Sequence, residues 1–291
     1  MDIHGLTFHN SAQPRMSSKI PLGRKTDYPA TVDPGVLFPV ARAEARKPLG
    51  IDDAALPFAG ADIWNAWELS WLDARGKPRV AVAELRVPCD SPNLVESKSL
   101  KLYLNGYAMT RHEDAHAVRE CIARDVSACV DAEIETALLE PADFARLQVA
   151  DFAGESLDDQ SLDIADYSQP RAEHLRVQPK SGMVEEALVS HAFRSRCPVT
   201  GQPDWASVQV RYRGMPMDRG GLLRYLVSFR EHADFHEACV ERMFLDIQER
   251  CAPLQLLVYA RFLRRGGIDI NPWRATPGFA ATPANLRGTR Q

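Results

Sequence analysis

Apolar positions along the chain switch between a two-residue and a 3.6-residue period, and the switches mark out its elements. From Ile63 to Val87 the alternation is that of strands. Trp67-Glu68-Leu69-Ser70-Trp71-Leu72 runs into the turn signal Asp73-Ala74-Arg75-Gly76-Lys77-Pro78, and Arg79 to Val87 returns as the second arm of a hairpin. Glu113 to Cys129 carries Ala117, Val118, Cys121 and Ile122 at helical spacing, and Asp131 to Leu139 alternates again as a strand. The same order then recurs. Glu185 to Phe193 and Ala206 to Tyr212 predict paired strands, Asp234 to Cys251 an amphipathic helix and Leu256 to Leu263 a strand.

Under a shift of 122 positions Leu100 meets Leu222, Tyr103 meets Tyr225, Leu104 meets Leu226 and Tyr107 meets Phe229; Val118 then meets Val240 and Ile122 meets Phe244. The matches are mainly apolar, so they describe a shared core rather than a shared chemistry. The pattern predicts an α+β protein of two tandem antiparallel-sheet-plus-helix modules, residues 61–150 and 181–291. Prolines 14, 21, 29, 34, 39, 48 and 57 interrupt residues 1–60, which read as an extended leader packed on the body. The acidic stretch Glu155 to Asp166, followed by Pro170 and Pro179, marks a connection over 151–180.

Composition narrows the class. The 291 residues are 45% hydrophobic and 25% charged, with a net charge of −4, which argues against a polybasic nucleic-acid binder. Asp2, His4, His9 and Asn10 break any signal-peptide core. No apolar run approaches the ~18 residues of a membrane span. The six cysteines are dispersed with no C-x-x-C pair, so they read as reduced cytosolic thiols, most of them core filler.

Four stretches carry candidate chemistry. Leu94 to Tyr103 packs Glu96, Ser97, Lys98, Ser99 and Lys101 together. Extended, it would put Glu96, Lys98 and Leu100 on one face; it reads equally as a solvated helix start capped by Ser97 or Ser99. Cys197 stands in an irregular loop made by Pro198, Gly201 and Pro203, with Asp204 seven positions on. Arg194 and Arg196 would favour its thiolate, although a loop thiol is as readily inert. His232, His236 and Cys239 fall at i, i+4 and i+7, metal-ligand spacing on a helix that Asp234 would cap, yet Cys239 also continues the apolar face. His112 and His116 repeat that spacing on what reads as a solvated turn. Arg261 to Gly267 ends a strand in a basic, glycine-bearing turn suited to a phosphate, or is an ordinary strand end. There is no G-x-G-x-x-G and no P-loop.

These residues resemble the NADPH-dependent 7-cyano-7-deazaguanine reductases, the nitrile reductases of queuosine biosynthesis. Glu96-Ser97-Lys98-Ser99-Leu100-Lys101-Leu102-Tyr103 matches the family signature throughout. Cys197 with Asp204, His236-Glu237 and Arg264-Arg265-Gly266-Gly267 fall where its long, two-module form carries other functional groups. The resemblance implies a tunnelling fold related to GTP cyclohydrolase I, a homodimer and a cytoplasmic enzyme. It implies Cys197 as nucleophile and Asp204 as general acid; Val95, Glu96, Ser97, His236 and Glu237 as contacts to a deazapurine substrate; and Ser97, Lys98, Arg265 and Gly266 as contacts to NADPH. No metal, direct nucleic-acid contact or membrane attachment is expected. The competing expectations are a zinc-dependent cyclohydrolase using Cys197 with His232 or His236, and a purine-binding protein without chemistry. Binding alone needs neither Cys197 nor Asp204, which counts against the last.

Overall fold

The computed structural model describes residues 28–178, 182–279 and 282–291. Nearly half of the expected leader, residues 1–27, lies outside the described residues. In chain order the elements are β1 (Pro39–Ala41), α1 (Arg42–Arg46), β2 (Ala59–Leu72), β3 (Pro78–Pro88), β4 (Asn93–Val95), α2 (Ser97–Asn105), α3 (Ala115–Val130) and β5 (Glu135–Leu139). There follow β6 (Glu155–Ser156), β7 (Val184–Arg196), β8 (Pro203–Gly214), α4 (Arg219–Ser228), α5 (His236–Cys251), β9 (Gln255–Phe262) and β10 (Ile268–Ala275). Eight strands form one sheet in the order β5-β3-β2-β10-β9-β8-β7-β6, antiparallel except where the short β6 runs parallel to β7. β1 and β4 pair separately. This is an α+β architecture with an antiparallel sheet.

The 122-residue repeat is visible in the elements. Helix α2 starts at Ser97 and α4 at Arg219. Leu100, Tyr103, Leu104, Tyr107, Val118 and Ile122 are buried in one apolar cluster with Leu85 and Trp71; Leu222, Tyr225, Leu226, Phe229, Val240 and Phe244 are buried in another with Val208 and Val258. At about 1.5–3 kcal/mol for each large side chain removed from water, these two clusters hold the helices on the sheet. Smaller details repeat as well. The hairpins β2–β3 and β7–β8 slip register at Ala66/Leu69 and Ser190/Phe193. Helices α3 and α5 end on left-handed residues, Asp131 at φ 57° and Ala252 at φ 44°. Tyr103 bonds Asp125 at 2.7 Å, and Tyr225 bonds Asp246 at 2.6 Å.

Some elements depart from the sequence reading. The expected strand from Asp131 shortens to Glu135–Leu139, because Asp131 is the left-handed end of α3. Strand β10 carries Pro272 mid-strand, a residue that argues against a central position. It is accommodated because the ladder to β9 begins only at Trp273, while the Asn271 side chain accepts the Phe262 amide at 3.2 Å. Gly60 lets β2 close on β10: a Cβ there would stand 2.1 Å from the Trp273 carbonyl oxygen. The proline-rich leader is not wholly extended, since it contains α1, whose Arg42 and Arg46 are buried. Among the described residues no helix is long and apolar enough to cross a membrane.

Candidate active site

An open cleft of about 700 Å³, counted out to its solvent mouth, lies where the two halves meet. Val95, Glu96, Ser97 and Lys101 line it from the first half, and Cys197, Asp204, His236, Glu237 and Arg265 from the second. Of the residues that the resemblance assigns to chemistry, substrate or cofactor, Lys98 and Gly266 stand outside the lining. Gly266, at φ 59°, abuts it, for a Cβ there would lie 3.3 Å from the Lys101 side chain.

Glu96 is the cap of α2, in place of Ser97 or Ser99. Its Oε1 accepts the Lys98 amide at 2.7 Å and its Oε2 the Ser99 amide at 2.8 Å, so the segment is a helix start and not an extended strand. Oε1 also takes a long bond from the Ser97 hydroxyl at 3.5 Å, Oε2 keeps a second lone pair, and the residue is 2% exposed at the cleft wall. The hydroxyl of Ser99 turns back to the Glu96 carbonyl at 2.7 Å.

Cys197 follows directly on β7, in the tight connection to β8. Its amide donates to the Gln202 carbonyl at 2.9 Å and its carbonyl accepts from Gly201 at 3.0 Å. The register pairing Ser195 with Asp204 brings the carboxylate back beside the thiol's strand end. The cations at the thiol differ from those expected. Arg194 binds Glu231 at 2.7 Å and Arg196 also pairs with Glu231, outside the cleft lining. Lys101 and Arg265 take their place. Burial and the Arg265 charge hold the Lys101 ammonium below its ordinary value, while Glu96, Asp204 and Cys197 pull the other way. The sequence places Lys101 in the signature but gives it no role, although its spacing of four from Ser97 puts the two on one face of α2.

Asp204 accepts from Arg265 Nη1 at 2.6 Å, and its other oxygen lies 3.4 Å from His236 Nε2. Burial pushes its carboxyl up, but the bond to His236 and the charges of His236 and Arg265 outweigh burial and carry it below its ordinary range. Asp204 is therefore a carboxylate in the free site. The His236 ring stacks on Phe262 with centroids 3.7 Å apart and planes within 2°. Its Nδ1 is buried without a hydrogen-bond partner. Glu237 is 4% exposed, and burial together with the Asp62 charge pushes its carboxyl up to about 7.

The metal-ligand spacing does not survive folding. Helix α5 begins at His236, so His232 lies before it, against Phe229 and 3.6 Å from Asp234. Cys239 is core, its thiol raised by burial. Asp234 does not cap the helix; its Oδ1 accepts the adjacent Phe235 amide at 2.8 Å and reaches no further. Among the described residues, no three of His, Cys, Asp and Glu gather as a metal site. His116 is solvated as expected, whereas His112 stacks on Tyr107 and burial lowers its pKa.

A thiol beside an ionised aspartate, facing two further carboxylates across a slot walled by imidazole, fits nucleophilic attack on a planar ligand rich in N–H donors. Comparison with known proteins points the same way. Residues 28–138 match the family described as nitrile reductase, 7-cyano-7-deazaguanine-reductase N-term, and residues 203–278 the family described as QueF-like protein. The NADPH-dependent 7-cyano-7-deazaguanine reductase of Stenotrophomonas maltophilia is 54% identical over 93% of this chain and 97% of its own. The enzymes of that name from Bordetella avium and Desulfotalea psychrophila are 52% and 51% identical, over 94% and 95% of this chain and 99% of theirs. The chain belongs to the 7-cyano-7-deazaguanine reductase family.

Proposed function

We propose that this protein reduces the nitrile of 7-cyano-7-deazaguanine to the primary amine with NADPH, a step in tRNA queuosine biosynthesis, through a covalent adduct on Cys197. The observation that carries the reading is the convergence of Cys197, Asp204, Glu96 and Glu237 on one cleft. A nitrile carbon is electrophilic. As sulfur bonds to it, one C–N π bond opens onto nitrogen, and the thiol's own proton passes through Asp204 to that nitrogen, giving a neutral thioimidate. The ionised state of Asp204 in the free site suits the first half of this relay, and the protonated state it then reaches suits the second. Glu96 and Glu237, offered by different halves, suit the adjacent N–H and NH2 of a guanine-like edge. His236, fixed by its stack on Phe262, walls the ring.

The cationic rim of Lys98, Lys101 and Arg265, with the Gly266 turn beside it, fits the phosphates of NADPH. When bound, NADPH supplies hydride, and two equivalents take the nitrile to the amine. Recurrence of elements, caps and bulges supports two tandem modules in a tunnelling fold, and the family supports a homodimer in the cytoplasm.

The test is incubation with the nitrile in the absence of NADPH. Mass spectrometry should show one substrate-sized addition, on Cys197 alone, and adding NADPH should consume two equivalents per amine formed. Turnover by Cys197→Ala would overturn the covalent mechanism.

A further inference from the structure

The segment Phe38–Arg46 reaches both of the carboxylates assigned to the base. On one side the Glu96 amide donates to the Phe38 carbonyl at 2.8 Å, the Phe38 amide to Ser99 Oγ at 3.0 Å, and β1 pairs with β4 just before Glu96. On the other, α1 places two arginines beneath α5. Arg46 binds Glu241 twice, Nε to Oε2 at 3.0 Å and Nη2 to Oε1 at 2.7 Å. Arg42 binds Asp62 at 2.6 Å and is oriented by Ser91 at 3.1 Å. Arg274 of β10 joins the two pairs, at 2.8 Å to Asp62 and 2.8 Å to Glu241. All five side chains belong to residues no more than 3% exposed.

Glu241 lies one helical turn beyond Glu237 and on the same face, so whatever fixes Glu241 fixes the direction of Glu237. An ion cluster this deep is a poor source of stability, since apolar side chains of similar volume commonly do as well. What it provides is forked, directional geometry. Three guanidinium groups meet three carboxylates, since Arg46 also binds Asp53 at 2.8 Å. Glu237 is faced by Arg42 from α1, Asp62 from β2 and His236 from its own helix, with Arg46, Glu241 and Arg274 completing the cluster below it.

We infer that Arg42 and Arg46 are positioning residues for Glu237, holding the first turns of α5 so that its carboxylate meets the substrate's donor edge. The N-terminal segment is thereby a built part of the substrate site. The inference rests on the assignment of Glu237 to the substrate.

Substrate titration and steady-state kinetics on the full chain test it, using Arg42→Lys and Arg46→Lys, which keep charge and stem but lose the fork. Both should raise KM and Kd for the nitrile about ten-fold while kcat stays within about two-fold, because Cys197 and Asp204 are untouched. Ser91→Ala, which frees Arg42 Nε and also releases the Asn93 carbonyl, is the milder variant and should raise Kd about two-fold in the same direction. In a Glu237→Gln background the same substitutions should cost nothing further, since they act through that carboxylate. Folded variants with unchanged Kd, or effects that add in full to Glu237→Gln, overturn the positioning role. Normal binding by Glu237→Gln alone would instead remove Glu237 from the site, and the inference with it.

Discussion

Burial of Glu237 should be measurable as a stability cost that grows with pH. Its carboxyl is pushed from an ordinary 4.5 to about 7 by burial and by Asp62. A raised carboxyl pKa means the folded chain binds a proton more tightly than the unfolded chain. The cost to folding is therefore small below pH 4.5, rises between 4.5 and 7, and is complete above. At 1.36 kcal/mol per pH unit the full cost is about 3 kcal/mol, and about 2 kcal/mol of it accrues between pH 5 and pH 8. Glu237→Gln keeps the shape and removes the titration. Relative to wild type its thermal midpoint should rise by several degrees more at pH 8 than at pH 5, at about 2–4 °C per kcal/mol for a domain of this size class. Scanning calorimetry without substrate across that range reads it directly. A gap between variant and wild type that is flat with pH, or that narrows toward pH 8, would refute the burial and charge argument.

Two further outcomes follow from the same geometry. Donors on the substrate favour the ionised form of Glu237, so nitrile binding at pH 7 should release a fraction of a proton, read by calorimetry in buffers of different ionisation heat and absent in Glu237→Gln. Arg265→Met removes a cation that holds Asp204 ionised at 2.6 Å. Adduct formation without NADPH should then lose its low-pH limb at a higher pH than in wild type; an unshifted profile would confine Arg265 to the cofactor.

The sequence carried the fold as far as apolar periodicity reaches. Helices α3 and α5 and the hairpin arms carry apolar residues at regular spacing, so periodicity exposed them, whereas the α2 segment read equally as a strand and α4 showed only as the offset partner of its apolar residues. Helix α1 escaped because proline spacing dominates residues 1–60 and its contribution is ionic, made to Asp62 and Glu241 far along the chain. Strand β10 escaped because Pro272 masks a ladder that Asn271 repairs with its side chain. In the site, residue types were legible and partnerships were not. Arg194 and Arg196 closely precede Cys197 in sequence, but both pair with Glu231, while Lys101 and Arg265 reach the cleft from a helix and a turn remote from it.

The seam between β2 and β10 has a consequence for synthesis. Asn271 bonds the Ile63 carbonyl across 208 positions of chain, and the register runs the whole length of β10. During translation β2 therefore presents an unpaired edge until the chain 208 positions further on has emerged, and contacts of such long separation form slowly. Glu96 and Cys197 come to face one cleft only when that edge is filled. A ribosome-bound chain lacking β10 should accordingly hold Glu96 and Cys197 with no cleft between them, and an edge strand open to chaperones in the meantime.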